Sequence, residues 1–236
     1  MILVTGGTGL LGAHLLYQIC KLETKIRATK RSHSSINFVR KIFSYYTNDI
    51  DILYKKIEWV NADLLCISEL ECVFKDITKV YHCAAWISFN PKQKHKMLYT
   101  NIETTSNIVN LCLAHKVQKL CHVSSVAAIG RLASSNEIDE EVSWLDRPEN
   151  SKYAISKYLS ELEVWRGIEE GLDSVIVNPS IILGPGKWEK GSSLLFMKVS
   201  KGLPFYPLGK NGFVDVRDVA NVMIQLMESN IKSERY

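Results

Sequence analysis

Apolar and polar positions alternate along this chain in two registers. Short, nearly continuous apolar runs occur at Met1–Thr5, Lys25–Thr29, Ile57–Val60, Val80–Cys83, Leu120–Ser124 and Ser174–Asn178. They are rich in Val, Ile and Leu, the pattern of strands covered on both faces. Longer segments between them space their apolar residues three and four apart, as amphipathic helices do. These are Leu10–Leu22, Ser68–Phe74, Lys94–Ala114, Lys152–Ile168 and Asp218–Glu228. Strand and helix in alternation predict parallel βαβ units with right-handed crossovers. The fold class is therefore α/β, a doubly wound parallel sheet with helices on both faces.

Proline placement divides the map. None precedes Pro91, while Pro179, Pro185, Pro204 and Pro207 fall among Gly184, Gly186, Gly202, Gly209 and Gly212. That later stretch reads as loops around a site. Residues 1–178 are expected to form the main domain and 179–236 a partial second region, with 213–236 packing back on the core.

Composition narrows the classes. Of 236 residues, 46% are hydrophobic and 23% charged, with a net charge of +4. The basic residues are spread along the chain, which argues against a nucleic-acid partner. No apolar run approaches the roughly 20 residues that span a bilayer. No basic segment precedes the first apolar run, so no signal peptide is expected and a cytoplasmic location is. The six cysteines and six histidines form no CxxC pair or zinc spacing, so no metal site is expected. Buried, reduced thiols are the expectation instead.

The first apolar run leads straight into glycines. Gly7-Thr8-Gly9-Leu10-Leu11-Gly12, with Gly6 before it, fits G-x-G-x-x-G between a strand and a helix. Small residues let the backbone approach a pyrophosphate, and the helix's open N–H groups bind its oxygens. A dinucleotide-binding turn of the Rossmann type is the expectation. Which dinucleotide depends on the second strand. An acid at its end would bind a ribose 2′-hydroxyl. No Asp or Glu occurs between Glu23 and Asp49, while Lys25, Arg27, Lys30, Arg31, Arg40 and Lys41 do. Lys30 and Arg31 fall at the strand's end and suit a 2′-phosphate, which favours NADP(H) over NAD(H). Asp63-Leu64, after the third strand, can meet the adenine; Asp63 can equally cap a helix.

Three Tyr-x-x-x-Lys pairs occur: Tyr17/Lys21, Tyr153/Lys157 and Tyr206/Lys210. On a helix this spacing puts both side chains on one face. An ammonium beside a phenol lowers the phenol's pKa and readies it for proton exchange. Tyr17/Lys21 lies beside the glycine turn, and Pro207 and Gly209 interrupt Tyr206/Lys210. Tyr153/Lys157 alone lies on a mid-chain helix, downstream of a strand ending in Ser124-Ser125. Ligands of parallel sheets bind beyond such strand ends.

With these residues in place, the chain resembles the extended short-chain dehydrogenases/reductases of the NAD-dependent epimerase/dehydratase group. The matching stretches are Val4–Gly12, Asp63-Leu64, His82–Ala85, Asn101, Val123–Ser125, Tyr153 with Lys157, Asn178–Ser180 with Gly184-Pro185, and Phe213–Ala220. Arg27–Arg31 looks most like the dihydroflavonol-reductase-like branch, which prefers NADPH. The resemblance implies Tyr153 as acid/base and Lys157 as the group that binds the nicotinamide ribose and tunes Tyr153. Ser125 would polarise the carbonyl, with Ser124 the lesser candidate. Ala84, Ala85, Asn101, Pro179 and Ser180 would lie along the cofactor. The 94–114 and 152–168 helices resemble a pair that forms a homodimer interface. Members of the group usually continue well beyond Val214–Ala220, so the resemblance leads us to expect a substrate-binding region that is either small or truncated here.

The expected activity is NADP(H)-dependent interconversion of a ketone or aldehyde with an alcohol. Two alternatives stand beside it. One is a nucleotide-sugar epimerase or dehydratase with bound NAD, against which the basic second-strand segment argues. The other is a nonenzymatic NADP(H)-binding redox sensor.

Overall fold

The computed structural model describes the chain except for residues 89, 131–138, 190, 203 and 206–210. In chain order the main elements are β1 (Ile2–Thr5), α1 (Leu10–Leu22), β2 (Ile26–Lys30), α2 (Asn37–Ser44), α3 (Ile50–Tyr54), β3 (Ile57–Asn61), α4 (Ile67–Val73), β4 (Lys79–His82), α5 (Lys94–Ala114), β5 (Lys119–Val123), α6 (Lys152–Glu169) and β6 (Ser174–Val177). They are followed by β7 (Ile181–Leu183), α7 (Leu194–Ser200), β8 (Phe213–Asp215), α8 (Val216–Glu228) and β9 (Glu234–Arg235).

Seven strands form one sheet in the order β3-β2-β1-β4-β5-β6-β9. Every pairing in it is parallel. The order reverses between β1 and β4, so a crevice opens beyond their carboxyl ends. Two apolar layers flank the sheet. One joins α1, α2 and α8 to the strands, with Leu15, Leu16, Ile42, Phe43 and Met223 fully buried. The other joins α4, α5 and α6 through Leu70, Ile108, Val109 and Val164. Gly167 lets α6 approach α5, because a Cβ there would come within 2.5 Å of a Val109 methyl.

The six strands and five helices expected from periodicity are present, with ends displaced by a residue or two. Other elements carried too little signal. Helix α2 carries Arg40 and Lys41 of the basic stretch after β2, and α3 follows it. Strands β7 and β8 pair in parallel as a separate two-stranded sheet. β9 has two residues and pairs with β6 at the sheet edge. Its place depends on partners far away in sequence, which no local pattern reports. Helix α8 contributes Val216, Val219, Ala220, Met223, Leu226 and Met227 to the same apolar layer as α1. Residues 216–235 therefore complete the main sheet and its cover.

Cys20, Cys112 and Cys121 are buried free thiols, but Cys72 is exposed and Cys66 and Cys83 are half-buried. Burial of the thiols thus holds for only half of them. Among the described residues, no helix is long and apolar enough to cross a membrane.

Candidate active site

The glycine turn follows β1 at the switch point. Gly6 has φ +69°, and a Cβ there would sit 2.7 Å from the Ala84 amide nitrogen. Only glycine meets both demands. A Cβ on Gly12 would lie 2.3 Å from the Gly6 carbonyl oxygen, so the first turn of α1 packs on the loop itself. Gly9 is the N-cap of α1 and no side chain caps that helix. The first-turn N–H groups at Leu10, Leu11 and Gly12 thus remain as donors for phosphate oxygens. Thr8 and Leu10 border them at the surface, half-buried. This cradle fits a dinucleotide pyrophosphate.

The basic residues after β2 separate by role. Arg27 is buried, and its guanidinium donates to the carbonyls of Val73 (2.7 Å) and Lys75 (2.9 Å) and pairs with Glu58 (3.1 Å). It ties the sheet to the end of α4. Arg40 pairs with Asp51 and covers the Tyr54 ring. Lys30 ends β2 and donates to Asn61 Oδ1 at 2.5 Å, and Arg31 is exposed just beyond. Of the described cations in that stretch, these two are placed at the carboxyl end of β2.

Asp63 closes a local turn and caps no helix, since Cys66 is the N-cap of α4 and no side chain caps it. Its Oδ1 accepts from the Leu65 amide (3.0 Å), and its own amide donates to Glu69 (2.7 Å). The Leu64 carbonyl accepts from Asn107 on α5. Asn101 is buried and committed to the protein. Its Oδ1 accepts from the Trp86 amide (2.7 Å), and its Nδ2 donates to the Trp86 carbonyl and Ser156 Oγ. It braces the Trp86 backbone just after Ala84 and Ala85.

On the far side of the crevice, β5 ends at the serine pair. Ser124 is buried and donates to Glu161 Oε2 at 2.6 Å. Its proton is thereby committed to that carboxylate. Ser125 caps a short 3₁₀ turn, its Oγ accepting from the Ala127 amide at 3.2 Å. Its own O–H faces the Tyr153 phenol. The Asn178 amide holds the Ser125 carbonyl at 3.1 Å, and Pro179 accepts from the Val126 amide. Pro179 and Ser180 follow β6, half-buried, beside this pair of segments.

Tyr153 and Lys157 lie on α6, whose N-terminus is capped by Ser151. Tyr153 is half-buried. Burial raises its phenol pKa, and interaction with the Ser125 side chain pulls it the other way. Lys157 is buried and donates to the Val123 carbonyl at 2.8 Å. Burial lowers its ammonium to about 8, opposed by Cys83 and Glu161. The lowering of the phenol expected from the four-residue spacing is therefore not what the geometry produces. Lys157 turns toward the strand end, and desolvation governs Tyr153.

The other two Tyr/Lys pairs differ. Tyr17 is core, stacked on Tyr46 at 4.4 Å, with Lys21 5.8 Å from its ring. Tyr206/Lys210 lies outside the described residues.

Four residues matter here that periodicity did not single out. His14 Nε2 donates to the Pro185 carbonyl at 2.9 Å, which leaves Nδ1 to accept from Tyr46 at 2.5 Å. It pins the Gly184–Gly186 loop to α1. Glu161, Asn178 and Arg235 form a buried polar group behind Ser125. Asn178 had a sequence signal in the Asn178–Ser180 stretch, and Glu161 had one in its place one helical turn after Lys157, a spacing that ordinarily marks a surface ion pair.

The parallel sheet, the glycine cradle at its switch point and the Ser/Tyr/Lys group across the crevice define a nicotinamide-dinucleotide-binding oxidoreductase of the extended short-chain type. Residues 2–236 match the NAD dependent epimerase/dehydratase family, and the chain belongs to it. Its relatives place it on the reductase side. It is 28% identical over 221 residues to a putative dihydroflavonol 4-reductase of Synechocystis, covering 92% of this chain and 60% of that one. Over 250 residues it is 29% identical to tetraketide alpha-pyrone reductase 2 of Arabidopsis thaliana, covering 99% and 75%. It is 28% identical to sterol demethylase protein B of Methylococcus capsulatus over 241 residues, covering 99% and 68%. The chain thus spans between 60% and 75% of these relatives. Among solved structures, gox2253 superposes with a TM-score of 0.85 at 27% identity, covering all of this chain and 68% of that one. The fold is also that of yeast methylglyoxal/isovaleraldehyde reductase Gre2 complexed with NADPH, with a TM-score of 0.79 at 21% identity, covering 99% and 76%.

Proposed function

We propose that this chain is the cofactor-binding and catalytic portion of an NADPH-dependent carbonyl reductase that converts a ketone or aldehyde to an alcohol. The observation that carries it is Tyr153 beside Ser125, at the carboxyl end of β5 and across the crevice from the glycine cradle. Gly6 to Gly12 would hold the pyrophosphate, and Lys30 and Arg31 the 2′-phosphate. NADPH, when bound, supplies the hydride.

The chain's own residues do the rest. Ser125 donates a hydrogen bond to the carbonyl oxygen and polarises it. Tyr153 donates its proton to that oxygen as negative charge develops there. A phenol held up in pKa by burial is protonated at neutral pH, which is the form that reduction needs. Lys157 has three donors, and Val123 is its one hydrogen-bond acceptor among the described residues. Two N–H groups remain to orient a ribose hydroxyl.

The test is NADPH oxidation, followed by absorbance, across a panel of aldehydes and ketones. Native chain is expected to turn over at least one of them, with Tyr153→Phe slower by about a hundredfold or more at unchanged NADPH affinity. Equal rates for native and Tyr153→Phe would refute the assignment. Stoichiometric NADPH binding without turnover of any carbonyl would favour the sensor reading.

A further inference from the structure

Glu161 is the one buried carboxylate among the described residues, at 1% exposure. All of its partners are built in. Oε2 accepts from Ser124 Oγ (2.6 Å) and Asn178 Nδ2 (2.9 Å). Oε1 accepts from Trp165 Nε1 (3.3 Å) and Arg235 Nη1 (3.2 Å). Arg235 is itself mostly covered and also donates to the carbonyls of Glu140 and Val142.

Burying a carboxylate costs several kcal/mol, and well-packed apolar side chains often do as well or better for stability alone. What the ion pair supplies here is connection. Ser124 immediately precedes Ser125. The Asn178 amide that reaches Glu161 also holds the Ser125 carbonyl. Lys157 lies one turn before Glu161 on α6, and Glu161 acts on its charge. Glu140 and Val142 lie on the segment that leads into the Tyr153 helix. One carboxylate thus joins α6, which carries Tyr153 and Lys157, to the strand end that carries Ser125 and to Asn178 after β6.

We propose that Glu161 is a positioning residue: its carboxylate, countered by Arg235, fixes Ser125 against Tyr153 and holds the Lys157 ammonium at the Val123 carbonyl. The role rests on the reductase reading above. Glu161 touches neither substrate nor cofactor and acts through Ser124, Asn178 and Lys157.

Titration of Lys157, followed by NMR of lysine carbons in isotope-labelled full-length chain, reads the electrostatic part without any substrate. The other charged or titratable groups acting on Lys157 are Cys83, His82 and His122. Glu161→Gln keeps the shape and removes the charge, so the midpoint is expected to fall below its native value of about 8. Arg235→Met leaves the carboxylate uncountered, so the midpoint is expected to rise. A purely structural Glu161 would not move the two variants in opposite directions. With the carbonyl that native chain reduces fastest, Glu161→Gln is expected to lower kcat about tenfold or more, with KM for NADPH within about twofold.

Midpoints unchanged in both variants, or native kcat in Glu161→Gln, would overturn the proposal. If Glu161→Gln does not fold, Arg235→Met decides, and an unmoved Lys157 midpoint there overturns it. Absence of turnover in native chain defeats the reductase reading separately, while the opposed titration shifts still decide whether Glu161 sets the Lys157 charge.

Discussion

The Lys157 ammonium donates to the Val123 carbonyl at 2.8 Å, two residues before the serine proposed to hold the substrate. This hydrogen bond fastens α6 to the end of β5. It does so with a charge that burial penalises, since the ammonium is lowered to about 8. Lys157→Met removes both the penalty and the hydrogen bond. The expected outcome is a chain about 1–3 kcal/mol more stable to urea at pH 7 but with turnover lost. Lower stability in this variant would show that the hydrogen bond outweighs the desolvation.

The glycine turn makes a graded prediction. A methyl group on Gly12 meets the Gly6 carbonyl at 2.3 Å, and one on Gly9 meets the same oxygen at 3.2 Å. Gly12→Ala must open the α1 turn and is expected to cost about 1–3 kcal/mol. Gly9→Ala needs a shift of only tenths of an ångström and costs less. Urea melts compare the two, and NADPH titration is expected to fail for Gly12→Ala first.

Three histidines give the fold a pH dependence. His82 is buried, with Nε2 donating to Thr105 and Nδ1 accepting from Thr5. Burial lowers it to about 3 and lowers His122 and His14 as well. Their folded values lie below the unfolded 6.5, so the unfolded chain binds more protons as pH falls. Stability from these groups is present above pH 6.5 and is lost below it, by up to about 1.4 kcal/mol per pH unit for each. Urea midpoints are expected to drop steadily between pH 7 and 5. Neither His122 ring nitrogen has a hydrogen-bond partner among the described residues. His122→Leu is therefore expected to flatten that slope and to stabilise the chain by about 1–3 kcal/mol at pH 7.

Cofactor choice is tested at the end of β2. With Lys30→Ala and Arg31→Ala together, NADPH affinity is expected to fall about tenfold or more, with NADH affinity nearly unchanged. Raising salt should weaken NADPH binding to native chain more than to the double variant. Equal losses for both nucleotides would mean that the two cations do not read the 2′-phosphate.

What the sequence by itself determined is local. Apolar periodicity placed six strands of the sheet and their covering helices, because burial on both faces leaves continuous apolar runs in all of them but the edge strand β3. The glycine spacing marked the cradle, because only residues without a Cβ let α1 close on the Gly6 carbonyl. Tyr153 and Lys157 were legible as a pair on one helix face. The tertiary structure decided how those groups are used. It turned Lys157 toward Val123, half-buried Tyr153 so that desolvation governs its proton, committed the Ser124 hydroxyl and the Asn101 amide to protein partners, and took Arg27 out of the basic segment. It also brought Arg235 from the edge strand to Glu161 and set His14 against Pro185. These outcomes depend on desolvation and on partners tens to hundreds of residues away in the chain. Neither has a period or a local spacing that a sequence can display.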